Sequence, residues 1–364
     1  MLKVATAVSA YPFYNFRYLK LLSEFSKYFK LYVFADSKLP RGKIREENVS
    51  YQVYYLVPHI LPRRIQYFFG GLISQPIINL MKPHVFWLFD TSRILLPLVI
   101  NCPLVLDIDD PVFDHRSKLS LMKDLYLLRH KKLVRIIVTT NIIKEKFVKY
   151  YGIQEDIVKV VPNGVDLNLF RPTKLPEEDV VLYYGTLALH RSRFLIKVVE
   201  ETLKRRKDIK FIVIGDTPAW FKEYLTRKNM INNVILPGFV EHDLLPEWVK
   251  KAKICVFTQE RSFGGRFPGK LIEYMACGRP IVATDVDESW PIKESGAGIT
   301  TPLDPKIFSE NIIKLLEDRK LAEELARKGI EYARKYDWNK MVKEYIKIFM
   351  EISEQKELAS YLQR

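Results

Sequence analysis

The sequence predicts an α/β fold built from two parallel sheets, each covered by helices on both faces. The chain has 364 residues, which is too long for one ordinary hydrophobic core. Apolar runs of strand length alternate with longer helical patterns, and this alternation occurs twice. Between the two series lies FRPTKLPEEDV at 170–180, whose proline and charge are typical of a linker.

The first series predicts seven strands and the second predicts six, because each run is short and rich in β-branched or aromatic residues. The first seven are expected near residues 3–9, 30–36, 49–56, 84–90, 103–109, 135–140 and 158–163. The other six are expected near residues 180–187, 209–216, 233–239, 253–259, 280–286 and 296–301. After about residue 303 the pattern is wholly helical.

The linker predicts a domain boundary after residue 172, which gives an N-terminal domain over 1–172 and a C-terminal domain over 173–342. Both are expected to be Rossmann-like, because their strands alternate with helices. In such sheets ligands bind at the carboxyl ends of the strands. With two facing domains, the cleft between them is the expected site.

The charge distribution favours an anionic partner for the first domain. The formal net charge is +15. Residues 1–172 carry 25 Lys and Arg against 14 Asp and Glu, a net charge of +11, whereas residues 173–364 carry 33 against 29, a net charge of +4. A phospholipid surface, a polyanionic substrate or nucleic acid fits this excess. A solvated basic surface with no binding role is the alternative.

Composition also restricts the compartment and the chemistry. The three cysteines, Cys102, Cys255 and Cys277, are scattered in apolar surroundings, which predicts buried reduced thiols in a reducing compartment. No Cys or His spacing suits a metal. The first residues lack a signal-peptide pattern, and the longest apolar run, at 94–106, is too short to span a bilayer. We expect a cytoplasmic protein, soluble or peripheral on the inner face of the cell membrane, with no cofactor and no metal.

Two glycine-containing turns follow buried strands. In PNGVDLNLF (162–170), Asn163-Gly164 suits a turn that needs positive φ, and taken alone it is a simple turn at the exit of a strand. In VVLYYGTLALHRS (180–192), Gly185 and Thr186 begin a polar loop that leads into a helix carrying Arg191. Backbone N–H groups at such a helix start attract phosphate, and an arginine adds a fixed positive charge. The pattern is not GxGxxG, so no dinucleotide is predicted.

The stretch FGGRFPGKLIEYMACGRPIVATD (263–285) carries the most chemistry. A glycine-rich loop with Gly265 and Arg266 precedes a helix that is expected to start near Phe267-Pro268. Lys270 and Glu273 fall in its first two turns, at the carboxyl edge of the sheet. The cations suit a diphosphate, and the carboxylate suits a pair of sugar hydroxyls. A surface ion pair between Lys270 and Glu273 is the alternative.

Two further segments have open interpretations. LDIDDPVFDH (106–115) places four aspartates after a first-domain strand, which suits a general base or a cation, whereas an acidic helix start is the alternative. Asp109 and Asp110 are the candidates. The segment 61–83 mixes arginines with aromatic residues, as an interfacial segment does. A helix packed on the sheet explains it as well.

These motifs together resemble those of the group 1 glycosyltransferases, the retaining GT-B enzymes related to glycogen synthase. PNGVDLNLF resembles the family signature that ends the N-terminal domain, and residues 267–286 resemble the donor-site helix with its following strand. YDWNKMVKEY (336–345) resembles the closing segment, after which the final helix, here about 343–364, returns to the N-terminal domain. The resemblance covers roughly residues 155–345.

The resemblance implies a nucleoside-diphosphate sugar donor held mainly by the C-terminal domain. Glu273 takes the place of the second glutamate of a Glu-x7-Glu motif and implies contact with the ribose, but Gly265 stands where the first glutamate is expected. The family's Arg and Lys after the first C-domain strand fall on Thr186 and Arg191, so Lys270 is the substitute cation. The usual Gly-Gly loop after the first strand is replaced by SAYPFYNFR (9–17). Asp109 or Asp110 stands near the family's N-domain histidine.

The sequence therefore predicts sugar transfer from a nucleotide sugar to an acceptor hydroxyl, with retention of configuration. Arg191 and Lys270 are expected to stabilise the leaving diphosphate, with Arg266 and backbone amides, and Asp109 and Asp110 are the remaining catalytic candidates. Glu273, Gly185, Thr186, Gly265, Arg266, Phe267 and Asn163 are the donor-binding candidates. The basic first domain suggests a lipid-linked acceptor or a growing surface glycan, at an anionic membrane surface. A degenerate protein that binds sugar nucleotide or nucleic acid, or a sugar-nucleotide epimerase, is the alternative, although no nucleic-acid module is present.

Overall fold

The computed structural model describes residues 1–8, 16–35, 51–55, 78–89, 100–109, 118–187 and 189–362. The chain divides into two compact units. Met1–Asn163 and Asn339–Arg364 form the first unit, and Gly164–Trp338 forms the second.

The first unit contains a seven-stranded sheet in the order β3-β2-β1-β4-β5-β6-β7, with all neighbours parallel. Its strands are β1 Lys3–Val8, β2 Lys30–Ala35, β3 Tyr51–Tyr55, β4 Val85–Phe89, β5 Leu104–Ile108, β6 Leu133–Val138 and β7 Val158–Val160. Its helices are α1 Phe16–Ser26, α2 Lys118–Leu128 and α3 Asn141–Tyr151, together with most of the last helix. Every residue of β4 and β5 is buried, as expected for central strands of a sheet covered on both faces.

The second unit contains a six-stranded parallel sheet in the order β10-β9-β8-β11-β12-β13. Its strands are β8 Val180–Tyr184, β9 Lys210–Ile214, β10 Val234–Gly238, β11 Ile254–Phe257, β12 Ile281–Thr284 and β13 Gly298–Thr301. Its helices are α4 Leu189–Arg205, α5 Ala219–Arg227, α6 Leu245–Val249, α7 Gly269–Ala276, α8 Trp290–Ser295, α9 Pro305–Glu317 and α10 Arg319–Ala333. All thirteen predicted strands are confirmed, and so are the two parallel sheets.

The last helix, α11 Trp338–Leu362, starts in the second unit and continues in the first. This confirms that the final helix returns to the N-terminal domain. That the two units face each other across a cleft stays a prediction.

The chain passes from the first unit to the second at an earlier residue than the sequence suggested. The structure divides the chain after Asn163, whereas the linker predicted a boundary after residue 172. The reason is packing, because Val165 and Phe170 are fully buried in the core of the second unit. The backbone of Val165 also bonds to the second unit, donating to the Tyr336 carbonyl at 2.7 Å.

Several predicted features fall outside the described residues: Asp110 and Asp114, most of SAYPFYNFR and most of 61–83. Within the described ranges, none of the helices combines the length and the apolar character needed to cross a bilayer.

Candidate functional site

The candidate residues of the second unit converge at the carboxyl ends of two neighbouring strands. β8 and β11 are paired in the sheet, and each is followed by a loop and a helix, α4 after β8 and α7 after β11. Parallel strands present their carboxyl ends at one edge, so the starts of both helices lie at that edge. This brings Arg191 on α4 near Lys270 on α7, close enough for the arginine to affect the lysine's pKa.

Lys270 is held against the end of β8. Its Nζ donates a hydrogen bond of 2.9 Å to the carbonyl oxygen of Tyr184 and lies 4.9 Å from the ring centroid of Tyr183. Burial, with a further contribution from the positive charge of Arg191, lowers the pKa of Lys270 to about 7. The ammonium group is therefore directed towards the strand end, and it does not form the surface ion pair with Glu273 that was the alternative.

Gly185 makes this position of the lysine possible. Its φ of 132° lies in the region that favours glycine, and a Cβ at residue 185 would overlap Nζ of Lys270. Its N–H donates to the Ile214 carbonyl at 3.0 Å. Thr186, the next residue, is exposed, and its carbonyl oxygen accepts from the Tyr183 hydroxyl at 3.1 Å.

Glu273 lies one turn further along α7, and both its carboxylate oxygens have protein partners. The Tyr184 hydroxyl donates to Oε2, and Nε2 of His242 lies 2.7 Å from Oε1. Burial raises the pKa of Glu273 to about 8, and burial lowers the pKa of His242. Both pKa shifts favour a protonated Glu273 carboxyl group that shares its proton with a neutral His242 imidazole. The side chain of Glu273 retains 14% exposure, so a ligand can still reach it.

Three arginines surround the ring of Phe263 in the loop before α7. The guanidinium carbons of Arg191, Arg261 and Arg266 lie 5.6, 5.1 and 5.7 Å from the ring centroid, within the range of cation–π contacts. Together with Lys270 they form a basic cluster that attracts an anion with several oxygens. The predicted cations Arg191, Arg266 and Lys270 are thus brought together, and Arg261 joins them.

The remaining candidates in this loop have mainly structural contacts. Gly265, with φ of 80°, donates its N–H to Oε1 of Glu288 at 2.9 Å. The ring of Phe267 is buried in the core of the unit and packs 5.3 Å from the ring of Tyr336. A donor contact from either residue would have to come from its backbone.

In the first unit, Asp109 and Asn163 lie in a network centred on the buried Arg17. Asn163 donates to Oδ1 of Asp109 at 3.0 Å and accepts from the Arg17 guanidinium. Arg17 also donates to Oδ1 of the fully buried Asp107 at 2.7 Å, and the hydroxyl of Tyr345 on α11 donates to Oδ2 at 2.6 Å. Asp109 is therefore an ordered carboxylate at the end of β5. Asn163 belongs to the first unit with it, whereas the other donor-binding candidates belong to the second unit.

The structure adds residues that the sequence patterns did not indicate. Tyr184 had a weak signal, because it immediately precedes the candidate Gly185. His242 and Glu288 lie in polar stretches with no motif, and their roles depend on contacts with residues 31 and 23 positions away. Only the fold brings such residues together.

Comparisons with known proteins give a family match within the second unit. Residues 178–318 match the family model described as Glycosyl transferases group 1. This part of the chain is therefore similar to the group 1 glycosyltransferases. The matched range contains Gly185, Arg191, Lys270 and Glu273, which confirms the resemblance suggested by their motifs.

Relatives and solved structures agree with this family match. The chain is 26% identical over 227 residues to a D-inositol 3-phosphate glycosyltransferase of Paenarthrobacter aurescens, covering 57% of this chain and 54% of that protein. It spans about half the length of the curated relatives it matches. A sucrose-phosphate synthase from Thermosynechococcus elongatus superposes with a TM-score of 0.76 at 15% identity, over 97% of this chain and 99% of that one. Anabaena Alr3699/HepE, solved in complex with UDP and glucose, gives 0.75 at 15% identity, over 96% and 100%. These likenesses show that the fold is GT-B.

Proposed function

We propose that this protein transfers a sugar from a nucleoside-diphosphate sugar to an acceptor hydroxyl, with retention of configuration. The observation that carries the proposal is the placement of Lys270. Its ammonium group lies against the end of β8 beside Arg191, with the Glu273 carboxyl one helical turn away. This spacing along α7 suits a nucleotide whose ribose hydroxyls meet Glu273 and whose diphosphate meets the basic cluster.

The chemistry required of these side chains is electrostatic. Charge develops on the diphosphate as the bond to the sugar breaks, and fixed cations in a poorly solvated site stabilise that charge. Lys270 and Arg191 are the residues proposed to do this, with Arg266 and Arg261 from the loop. A diphosphate oxygen can then accept the proton of the acceptor hydroxyl, so a separate base is not required. No cofactor or metal is included in this proposal.

Glu273 is proposed to anchor the ribose. A carboxylate oxygen has two lone-pair directions, and the partners Tyr184 and His242 account for one on each oxygen. Each oxygen therefore retains one direction for a ribose hydroxyl. Two such bonds would stabilise the ionised carboxylate and release its proton on binding.

The donor's base and the acceptor are the finer parts of the proposal. Uridine is the first base to test, because Alr3699/HepE was solved with UDP. The acceptor is proposed to be a glycan or a lipid-linked molecule recognised by the N-terminal part of the chain, because the net charge of +11 over residues 1–172 favours an anionic partner. Flotation with liposomes containing phosphatidylglycerol tests the membrane part, and equal binding to neutral liposomes would remove its support.

Calorimetric titration with UDP, GDP, dTDP and ADP tests the donor site. We expect one of the four to bind and the Glu273→Ala variant to bind it at least about tenfold more weakly, since a charged hydrogen bond contributes roughly 1.5–3 kcal/mol. Full affinity in Glu273→Ala and Lys270→Ala would refute the site. Binding with no transfer to any acceptor would favour the alternative of a sugar-nucleotide-binding protein, and conversion of the donor alone would favour an epimerase.

A further inference from the structure

The loop between β11 and α7, residues 258–268, is held by the last residue of β12 and the turn that follows that strand. Thr284 contacts Gln259 twice, because its Oγ1 accepts from the Gln259 N–H at 3.0 Å and donates to the Gln259 carbonyl at 2.7 Å. Further along the turn, the Ser262 hydroxyl donates to Asp287 at 2.6 Å. The start and the middle of the loop are thus attached to one short segment, residues 284–288.

Glu288 forms the central attachment. Its side chain is only 3% exposed, and it accepts three hydrogen bonds from this loop. Oε1 accepts the N–H groups of Phe263 and Gly265, both at 2.9 Å, and Oε2 accepts from the Gln259 side-chain amide at 2.7 Å. A buried carboxylate is costly to desolvate unless it is hydrogen-bonded, so this arrangement stabilises one conformation of the loop.

That conformation determines where the basic cluster lies. Phe263 is bonded through its N–H to Glu288, and its ring is the feature around which Arg191, Arg261 and Arg266 gather. A shift of the Phe263 backbone would move the ring and change the spacing of the guanidinium groups. The carboxylate oxygens of Glu288 bond to the loop at 258–268, so Glu288 acts through the residues of that loop.

We propose that Glu288 is a positioning residue, which holds Phe263 and so presents the arginines in the geometry that binds the diphosphate. This inference rests on the proposed function, since it assigns the diphosphate to the basic cluster. It predicts that the loss of Glu288 weakens recognition of the terminal phosphate more than recognition of the nucleoside and its first phosphate. A residue that only stabilised the fold would weaken both alike.

The test compares a nucleoside diphosphate with its monophosphate, using UDP and UMP, or GDP and GMP if the first titrations select guanosine. In Glu288→Ala the N–H groups of Phe263 and Gly265 lose their acceptor. We expect the affinity for the diphosphate to fall about tenfold or more, from the cost of leaving such groups unpaired, and the affinity for the monophosphate to change less than about twofold. Glu288→Gln is the conservative rescue. The new amide oxygen accepts the N–H groups of Phe263 and Gly265, and the new NH2 group donates to the Gln259 amide oxygen once that amide flips. We expect it to retain diphosphate affinity within about threefold.

Two further variants keep the outcome decisive. Glu288→Asp replaces the alanine variant in the test if that variant does not fold. It keeps the charge but is one methylene too short to reach all three donors, so it should show the same selective loss of diphosphate affinity to a smaller degree. Glu294→Ala removes a carboxylate of the nearby helix α8, bonded to the Tyr332 hydroxyl at 2.6 Å, and should affect stability without selectivity for the diphosphate. Equal losses for both nucleotides in the Glu288 variants, or no loss, would overturn this inference alone. Failure of the wild type to bind any diphosphate would overturn the proposed function instead.

Discussion

Proton linkage during donor binding gives the sharpest test of the site. At pH 7.5 the pKa values of about 7 for Lys270 and about 8 for Glu273 leave the lysine about three-quarters neutral and the glutamate about three-quarters protonated. An incoming diphosphate favours the charged lysine, which takes up a proton. Ribose hydroxyls favour the ionised carboxylate, which releases one. Each transfer amounts to about 0.8 proton per site, so the two nearly cancel in the wild type.

The variants Lys270→Met and Glu273→Gln separate the two transfers. Lys270→Met retains only the glutamate, so we expect a net release of about 0.8 proton at pH 7.5. Glu273→Gln retains only the lysine, so we expect a net uptake of about 0.8 proton. In the wild type the sign should reverse with pH. At pH 6 the lysine is already charged and release dominates, whereas at pH 9 the glutamate is already ionised and uptake dominates.

The assay is calorimetric titration in buffers of different ionisation enthalpy, with a nucleotide sugar as ligand because its diphosphate does not titrate over this pH range. Glu223→Gln, the same change at an exposed position of α5, is the matched control and should behave as the wild type does. The assignment of these two groups to the binding site would be refuted if the number of protons exchanged by the wild type on binding did not vary between pH 6 and 9 and both variants exchanged the same number as the wild type.

Three further substitutions test the surroundings of the site and the two cores. Gly185→Ala should displace the Lys270 ammonium and lower nucleotide affinity by about tenfold, whereas Gly238→Ala, also at positive φ but with open space around its Cβ, should lower only stability in a thermal melt. Tyr345→Phe should destabilise the first unit by about 1–3 kcal/mol in urea without changing nucleotide affinity, because the missing hydroxyl leaves a buried carboxylate short of a donor. Arg279→Met should lower the free energy of unfolding of the second unit by about 3 kcal/mol or more, since Arg279 is fully buried and donates to several backbone carbonyls. A decrease below about 1 kcal/mol would contradict that role.

The sequence predicted the fold well because strand burial leaves a local signature. All of VFWLF and LVLDI are apolar except Asp107, and both strands are buried throughout. The predicted ends of strands were less accurate where a polar residue caps the next helix. Thr140 was assigned to the end of β6, but its side chain caps α3 by accepting from the Ile143 N–H.

The site was predicted in part, for a similar reason. Lys270 and Glu273 share one helix, so their spacing was visible in the sequence. His242 and Glu288 act through contacts with other elements of the unit, which no local pattern encodes. The aspartate at 107 shows the opposite case. It is one of the four aspartates of LDIDDPVFDH and was not one of the two candidates, and the structure buries it against Arg17 and Tyr345, where it stabilises the first unit.

The return of α11 has a consequence for how the protein is made. The first unit needs residues from both ends of the chain, because the Tyr345 hydroxyl bonds Asp107 and the ring of Phe349 packs 5.5 Å from that of Phe25. During synthesis all of the second unit leaves the ribosome before those residues do. The second unit can therefore fold first, while part of the hydrophobic core of the seven-stranded sheet stays exposed. Chaperone binding to nascent chains should accordingly persist until α11 emerges.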